Sequence, residues 1–351
     1  MQGTRPIRIS RRGVLKLATA GAALSIFAPA GSSAEADAEQ VADGVLEFIR
    51  RCAREDGGYA PSPDPKYDGN SDTASSDLAA VTYAAVLART MGWQLPHPEK
   101  SVEFIRRHQK EDGRFVNLGG KMKPDDPLAI LYNTTQGVVA LRALGERPKI
   151  DPSPVMARFF RDDGYKKLPW YTTSFFPLFY AALGQSFPAE RRDALTAHLV
   201  SHQAADGYVQ DHVAATFHLA HFFRLIDRAV PRAAEMVART LHDQKENGGW
   251  DIKQPDWDVH ACFDALFILR QLGGNAPRVR DAIAGGGGWA MRCRNDDGGF
   301  GHFPGRHSDM DAVYFNFGSM IQAGLAPGAK TDLPDGNTLG WGHAMRPSSR
   351  R

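Results

Sequence analysis

The stretch Asp297-Gly298-Gly299-Phe300 decides the fold, because close variants of it recur along the chain. Each copy has an acidic or amide residue, one or two glycines and a closing aromatic residue. The six copies are Asp56-Gly57-Gly58-Tyr59, Asp112-Gly113-Arg114-Phe115, Asp163-Gly164-Tyr165, Asp206-Gly207-Tyr208, Asn247-Gly248-Gly249-Trp250 and Asp297-Gly298-Gly299-Phe300. Their aromatic residues lie 56, 50, 43, 42 and 50 positions apart. Self-similarity at such a period indicates repeated supersecondary units.

The segments on either side of each motif predict a helical hairpin. Before the motif the chain is amphipathic, as in Val45-Leu46-Glu47-Phe48-Ile49-Arg50-Arg51, which is typical of a surface helix. The motif glycine is expected to stop that helix, because glycine adopts the left-handed conformation at little cost. After the motif comes a more apolar helix, such as Thr135 to Gly145, which must be buried on both sides.

Six such hairpins predict an all-α fold, a six-hairpin (α/α)6 toroid. Its outer layer of helices is expected to be more solvent-exposed and its inner layer more buried. The toroid is expected to span residues 41–324 as one domain with twelve principal helices, followed by a C-terminal tail at 325–351. The chain has 351 residues, 42% of them hydrophobic, which suffices for one large core. Four glycines, Gly285 to Gly288, are expected to form a flexible connection between repeats five and six.

The N-terminus is predicted to be a targeting segment covering residues 1–34. The pair Arg11-Arg12 precedes a mildly apolar run at 17–30, and the small residues Ser32-Ser33-Ala34 follow. This order is typical of a twin-arginine export signal, so the protein is expected to be periplasmic or extracellular. The alternative is an uncleaved anchor, although the apolar run is short for a membrane span.

The charge balance argues against a nucleic-acid partner. The formal net charge is +2, and the signal holds five basic residues and no acid, so removing it leaves a charge of −3. The basicity therefore belongs to the signal and does not indicate nucleic-acid binding.

Repeat five contains the densest group of chemically active side chains. Asp258, His260 and Cys262 lie within five residues at the start of an inner helix. Repeat one has the unreactive residues Ala79 and Val81 at the positions of His260 and Cys262. Asp311 of repeat six aligns with His260, and repeats five and six are neighbours in the ring. Imidazole, thiolate and carboxylate are common zinc ligands, so His260, Cys262 and Asp311 form a candidate zinc site. The alternative is a buried cysteine beside a hydrogen-bonded histidine.

The starts of four inner helices share a second pattern. Asp77, Asp211, Asp258 and Asp309 fall at one equivalent position, which is most simply a helix N-cap. His212 follows one of these positions and is expected at the mouth of the toroid, whereas His218 and His221 are expected to be polar packing.

Aromatic residues crowd the inner helices and predict an axial cavity lined with rings. Most of these rings must be core packing, but six inner helices in a closed ring leave an axial space. Such a pocket suits a long apolar or cationic ligand. The residues are Trp170, Tyr171, Phe175, Phe176, Phe179, Phe217, Phe222, Phe223, Phe263, Phe267, Tyr314 and Phe317.

The repeats resemble those of the prenyltransferase/squalene-cyclase superfamily. Gly298-Gly299-Phe300 with Asp309 and Tyr314 carries the likeness, as does Gly248-Gly249-Trp250 with Asp258. The inner helix after Asp77 is similar to one of protein prenyltransferase β subunits. The resemblance covers nearly the whole chain after the signal, and it implies a single toroid that binds an isoprenoid or a similar lipid.

The resemblance also implies roles for particular residues. Protein prenyltransferases hold zinc with Asp-x-Cys and a histidine, and here His260-Ala261-Cys262 stands in the first place and Ala312, beside Asp311, in the second. The segment after His212 is similar to the one whose histidine binds the diphosphate. Squalene-type cyclases use a D-x-D-D-T-A motif, which Asp256-Trp257-Asp258-Val259-His260-Ala261 resembles, so Asp258 takes the place of the catalytic acid.

Three functional hypotheses follow from these residues. The first is an enzyme of the transferase or cyclase type that transforms an isoprenoid or other lipid, with Asp258 and His212 as catalytic residues. The second is a binding or scaffold protein that keeps the ring without the chemistry. The third is a polysaccharide lyase or glycosidase, since α/α toroids also carry those activities and an open cleft with two carboxylates would serve them.

Overall fold

The computed structural model describes residues 31–69, 71–251, 260–326 and 329. Within these ranges the chain forms α-helices and two short 3-10 segments, and its only β pairing is a set of isolated bridges, which confirms the all-α class. The α-helices are α1 (Gly31–Cys52), α2 (Asp72–Ser75), α3 (Asp77–Met91), α4 (Pro98–Arg107), α5 (Pro127–Ala143), α6 (Ser153–Arg158), α7 (Phe175–Ala182), α8 (Ala189–Val200), α9 (Val213–Leu225), α10 (Ala233–His242), α11 (His260–Leu272), α12 (Pro277–Arg292) and α13 (Met310–Gln322).

Twelve of these helices form two layers, as the repeats predict. Helices α1, α4, α6, α8, α10 and α12 precede the motifs, whereas α3, α5, α7, α9, α11 and α13 follow them. The two layers differ in burial: residues 78–88 of α3 are all buried, but α4 buries only Ser101, Val102, Phe104 and Ile105. Fully buried helices thus alternate with half-buried ones along the chain, which places the inner set in the core.

The inner helices close into a ring. Each contacts the next in the order α3, α5, α7, α9, α11 and α13, and α13 contacts α3 again. This closure confirms the toroid and brings repeats five, six and one together.

The motif itself forms a tight turn after the outer helix rather than the end of that helix. Helix α1 ends at Cys52, five residues before Gly57, so the expectation that the glycine stops the helix is wrong. Gly57 has a φ of 88°, and the Asp56 side chain accepts a hydrogen bond from the Gly58 N–H at 3.0 Å. The aromatic residue Tyr59 then pairs with Ala53 in a bridge. The turn therefore needs a short acceptor side chain and a residue that tolerates positive φ.

The motif glycine also lets neighbouring repeats approach closely. A Cβ on Gly57 would lie 2.2 Å from the backbone of Lys100 in α4, the next outer helix. In the sixth copy, a Cβ on Gly298 would lie 2.5 Å from the carbonyl oxygen of Gly44 in α1. The same contact that joins successive repeats therefore joins the last repeat to the first.

Repeat three departs from the pattern. Helices α6 and α7 have six and eight residues, fewer than the other outer and inner helices. Its motif lies in a 3-10 segment, Arg161–Lys167, in which Asp162 and Asp163 take left-handed φ values of 50° and 55°. The hairpin is therefore shorter here than elsewhere in the ring.

The four glycines Gly285 to Gly288 lie inside α12, so the predicted flexible connection is wrong. They are tolerated because most of them allow close packing. A Cβ on Gly286 would lie 2.8 Å from Leu266, and one on Gly287 would lie 2.6 Å from the Ala323 Cβ. Gly288 differs, because its nearest neighbour would be 4.0 Å away.

We expect Gly288→Ala to stabilise the protein and Gly287→Ala to destabilise it. Glycine inside a helix costs ~0.5–1 kcal/mol relative to alanine, and position 288 has room for the methyl group. Position 287 does not, so its alanine should lower the free energy of unfolding by ~1–3 kcal/mol. Chemical denaturation of both variants measures this pair of shifts, and equal shifts of one sign would contradict the packing of α12.

The predicted helix caps are partly confirmed. Asp309 is the N-cap of α13, and its Oδ1 accepts from the Ala312 N–H at 2.8 Å. Ser76 rather than Asp77 caps α3, and His212 rather than Asp211 caps α9, so those two predictions are wrong. Asp258 lies outside the described residues.

No helix among the described residues combines the length and the apolar character that a membrane span requires. The predicted export signal falls almost entirely on residues 1–30, outside the described ranges.

Candidate functional site

Three side chains at the start of α13 bring their ligand atoms together. Atoms of His302, Asp309 and Asp311 lie within 4.8 Å of one another. His302 Nε2 lies 2.9 Å from Asp309 Oδ2 and 3.5 Å from Asp311 Oδ2. Asp311 is fully buried and Asp309 nearly so, whereas the His302 side chain is 20% exposed. His302 is therefore the edge of this group that solvent reaches.

Helix geometry explains why both carboxylates are tolerated there. Asp309 caps α13 and Asp311 lies in its first turn, so both face the positive end of the helix dipole. Burial acts to raise the pKa of Asp309, but His302, the Ala312 N–H and the Tyr67 hydroxyl together hold it below its ordinary value. Asp309 is therefore a carboxylate over the neutral pH range.

A small loop between the sixth motif and α13 presents His302. Gly301 pairs with Ser308 in a bridge, and Gly305 turns the chain with a φ of 76°. A Cβ on Gly301 would lie 2.3 Å from the Arg306 carbonyl oxygen, so the loop closes only because residue 301 is a glycine. This local fold directs His302 back toward the helix start.

His260 joins the group from the neighbouring inner helix. It is the first residue of α11, and its Nε2 lies 3.2 Å from Asp311 Oδ2. Its ring stacks on Phe315 with centroids 3.6 Å apart. Phe315 lies one turn after Asp311 on α13, so ring stacking and the polar contact fix the imidazole together. We call His260, His302, Asp309 and Asp311 the mouth cluster.

Repeat one supplies the other wall of the site. The Tyr67 hydroxyl donates to Asp309 Oδ2 at 2.8 Å and also contacts Ser71 Oγ at 3.0 Å. Burial, followed by the charge of Asp309, raises the pKa of Tyr67 far above its ordinary value, so the phenol remains a donor. The Met310 N–H donates to the Pro61 carbonyl at 2.8 Å, which ties the two loops together.

A cavity of about 670 Å³ opens between these loops above the cluster. Its volume falls in the range typical of small-molecule sites, ~300–1,000 Å³. The described residues that line it are Asp64, Lys66, Tyr67, Asp68, Gly69, His302, Phe303, Arg306, His307 and Asp309. The cavity is therefore lined by acidic, basic and aromatic groups together.

The sequence-predicted site residues are only partly brought together. His260 and Asp311 are in contact, as an aligned pair on adjacent helices should be. Cys262 lies elsewhere: its thiol donates to the Gly286 carbonyl of outer helix α12 at 3.5 Å. Burial raises the pKa of Cys262 far above its ordinary value, so it is a neutral thiol between the layers. The predicted grouping of Cys262 with His260 and Asp311 is thus not the arrangement found, because i and i+2 on a helix point apart.

The predicted catalytic residues lie outside the cluster or outside the described chain. His212 caps α9, and its Nδ1 accepts from the Ala215 N–H at 3.2 Å. His218 and His221 both contact Ser174 Oγ, at 2.6 and 3.2 Å, in keeping with polar packing. Asp258, two residues before the start of α11, is not among the described residues.

Two members of the cluster were not predicted. His302 is the second residue after its motif aromatic, where the first two repeats have Pro61 and Asn117. This change of residue type at an equivalent position was the available signal. Asp309 was predicted only as a cap, and its second oxygen binds the cluster as well. Sequence alone does not show that one carboxylate does both.

Rings of the inner helices make a belt of contacts around the axis. Tyr83 stacks on Tyr314 at 4.1 Å, and its hydroxyl lies 3.4 Å from that of Tyr132. The Tyr83 and Tyr132 hydroxyls both donate to Asp72, at 3.1 and 3.2 Å. Further ring contacts continue the belt: Tyr132–Phe175, Phe175–His218, Phe217–Phe263 and Phe263–Phe315.

The belt is closely packed. Its rings are at most 1% exposed, and a space wide enough for water beside them would leave more of their surface accessible. An open axial space is thus not seen beside these described rings, and the aromatic-lined cavity remains a prediction.

Comparison with known proteins identifies the family. The prenyltransferase alpha-alpha toroid domain matches residues 19–132 and 161–343. Among curated protein sequences, none matches the chain significantly.

Solved structures share the fold at low sequence identity. Protein geranylgeranyltransferase-I from Candida albicans, complexed with GGPP, is 13% identical with a TM-score of 0.59, over 85% of this chain and 95% of that one. A variant of the type II terpene cyclase MstE from Scytonema, in complex with the substrate geranylgeranyl dihydroxybenzoate, is 14% identical with a TM-score of 0.55, over 84% of this chain and 98% of that one. At such identity the likeness concerns the fold.

Proposed function

Because the chain belongs to the prenyltransferase alpha-alpha toroid domain family, we propose that it binds an isoprenoid or a related lipid and transforms it at the mouth cluster. The observation that carries this proposal is the meeting of two imidazoles and two buried carboxylates below a cavity of about 670 Å³. Two structural neighbours support the substrate class, since one is a complex with GGPP and the other with geranylgeranyl dihydroxybenzoate.

The chemistry proposed is a proton-initiated isomerisation or cyclisation of a prenyl chain. A carboxylic acid adds a proton to one alkene carbon, and the resulting cation loses a proton elsewhere, so no other reactant is consumed. Asp258 is the proposed acid, from its place in the sequence motif. His302, which lines the cavity, is the proposed acceptor of the returning proton, and the buried Asp311 carboxylate 3.5 Å from its Nε2 would stabilise the imidazolium.

The prenyl chain is proposed to run from the mouth cavity toward the axis. The polar end of the lipid would lie near Lys66, Arg306 and Tyr67, which line the cavity. The aromatic belt would contact the apolar chain and stabilise cationic charge on it. Since the belt is closely packed, binding within the axis would require its rings to move apart.

A divalent cation such as zinc is the alternative proposed for the same residues, in place of the proton transfer to the cluster. His302, Asp309 and Asp311 fit it, because two carboxylates and an imidazole form a common ligand type and their donor atoms already converge. His260 would then orient Asp311 from behind. When bound, such an ion supplies Lewis-acid polarisation of a substrate oxygen. Metal analysis of the purified protein beside an Asp311→Asn variant tests this assignment.

The closely packed belt favours a second candidate function, a protein that binds the lipid without turnover.

One experiment on the protein lacking residues 1–34 distinguishes the enzyme from the binding protein. Geranylgeranyl dihydroxybenzoate, geranylgeraniol and its diphosphate are each incubated with the protein; binding is followed by tryptophan fluorescence and products by mass spectrometry. Binding with a new isomer supports the enzyme, whereas saturable binding with unchanged lipid supports the binding protein. Absence of binding to all three lipids, together with cleavage of an oligosaccharide panel, would overturn both.

We also propose that the protein is exported by the twin-arginine route, on the strength of Arg11-Arg12 and the small residues ending at Ala34. Replacing both arginines by lysine should abolish export, because the pair is recognised as a motif and not only as charge. Cell fractionation with an antibody measures this. The matched control is Arg5→Lys with Arg8→Lys, which keeps the pair and should export normally. Unchanged export of the Arg11/Arg12 variant would contradict the route.

A further inference from the structure

The shortened third repeat leaves a second cavity, which shares no lining residue with the mouth cavity. It has a volume of about 510 Å³ and lies between the start of α5, the short helix α6 and the segment 164–169. The outer helix here has six residues, compared with twelve in the next repeat, so less helix is present to cover the inner layer. The cavity is thus a consequence of where the repeat pattern breaks.

The walls of this cavity are apolar and continuous with the core. Leu128, Phe159 and Leu168 are partly buried and pack against the core, and Val155 is 2% exposed. Phe159 also makes an edge contact with Phe176 of inner helix α7 at 5.8 Å. Ile130 completes the apolar lining. A hydrocarbon chain placed here would bury apolar surface on several sides, which is the main driving force for binding such a chain.

The charged groups around the cavity are mainly cationic. Arg114, Arg158 and Lys167 line it together with one acid, Asp126. Asp126 is the N-cap of α5, and its Oδ1 accepts a hydrogen bond from the Leu128 N–H at 2.8 Å. Arg158 lies 3.0 Å from Asp112.

Lys167 differs from the arginines, because within the described ranges its ammonium group has no ion-pair or hydrogen-bond partner. The next residue back, Lys166, is paired with Asp163 at 2.5 Å and does not line the cavity. An apolar wall beside an unpaired ammonium is complementary to a single-chain amphiphile with an anionic head.

We infer that the repeat-three cavity binds a long-chain fatty acid, with the carboxylate at Lys167 and the chain against Leu128, Ile130 and Phe159. This site is separate from the mouth cluster and requires no chemistry. It gives the protein a second lipid-binding function beside the proposed one.

The test uses palmitate, below its micelle concentration, and isothermal titration calorimetry on the protein lacking residues 1–34. Lys167→Gln should weaken palmitate binding about tenfold, the loss expected from one charge-assisted hydrogen bond. Lys166→Gln is the matched control, one residue away on the same segment, and should bind as the parent does. Ile130→Trp fills the cavity and should abolish binding, with a thermal melt confirming that the variant is folded. Hexadecanol should bind the parent about as weakly as palmitate binds Lys167→Gln.

Equal palmitate affinity in the Lys166 and Lys167 variants would overturn the inference, as would the absence of palmitate binding. Binding to phosphatidylglycerol vesicles without binding of monomeric palmitate would also overturn it, in favour of a membrane contact. Asp311→Asn should leave palmitate binding unchanged. That control separates failure of this site from failure of the proposed function.

Discussion

Gly298→Ala is expected to lower the free energy of unfolding by ~3–5 kcal/mol, from a left-handed backbone cost of ~1–2 kcal/mol plus steric overlap. Gly298 has a φ of 79°, and the added methyl would lie 2.5 Å from the Gly44 carbonyl oxygen of α1. This contact joins repeat six to repeat one. The substitution therefore acts on the closure of the ring as well as on one turn.

The matched control is Gly145→Ala. Gly145 has a φ of 80°, but no atom would lie within 4 Å of its Cβ. Its alanine should cost only the backbone term, ~1–2 kcal/mol. Urea denaturation followed by circular dichroism measures both. If the two variants lose the same stability, the close contact between α1 and the sixth motif does not support ring closure.

Asp311→Asn is expected to reduce turnover of an accepted lipid ~10²–10⁴-fold, because the acid–base role of His302 depends on the carboxylate that stabilises its charged form. Asparagine keeps the size of the side chain but removes the carboxylate that lies 3.2 Å from His260 and 3.5 Å from His302. Lipid affinity should change little, because Asp311 is fully buried and lies behind the exposed edge of the cluster. Initial rates and binding constants on the same preparation separate the two effects.

Asp77→Asn serves as the control for this prediction. Asp77 forms a similar pair with His108, at 3.0 Å, in repeats one and two. A general loss of a buried His–Asp contact would affect both variants, whereas a role in the reaction affects Asp311 alone. A fall in turnover of the same size in Asp77→Asn would mean that Asp311 acts through stability.

The fold was predictable because its determinants are local and repeated. Six copies of one turn motif, each followed by an apolar helix, specify a ring without any long-range information. The details that failed depend on packing that a single repeat does not reveal. Gly285 to Gly288 look like a linker, yet they lie inside α12, where Gly286 packs against Leu266 and Gly287 against Ala323.

The site was less predictable, because it draws on three repeats at once. Aligning repeats paired His260 with Asp311 correctly, since both lie at the starts of inner helices in adjacent repeats. His302 comes from a loop whose path depends on Gly301 and Gly305, and Tyr67 reaches Asp309 across the ring closure. Cys262 shares a sequence neighbourhood with His260 but faces α12. Two residues that are close in sequence at the start of a helix can therefore face different layers of the toroid.

Photoaffinity labelling can locate the isoprenoid that we propose binds at the mouth cluster. A geranylgeranyl dihydroxybenzoate with a diazirine on its aromatic end is bound, irradiated and mapped by peptide mass spectrometry. We expect saturable labelling within residues 61–69 and 301–309, displaced by the unmodified lipid and unaffected by excess palmitate. Labelling confined to residues 126–130 and 155–169, or labelling that unmodified lipid does not displace, would contradict it.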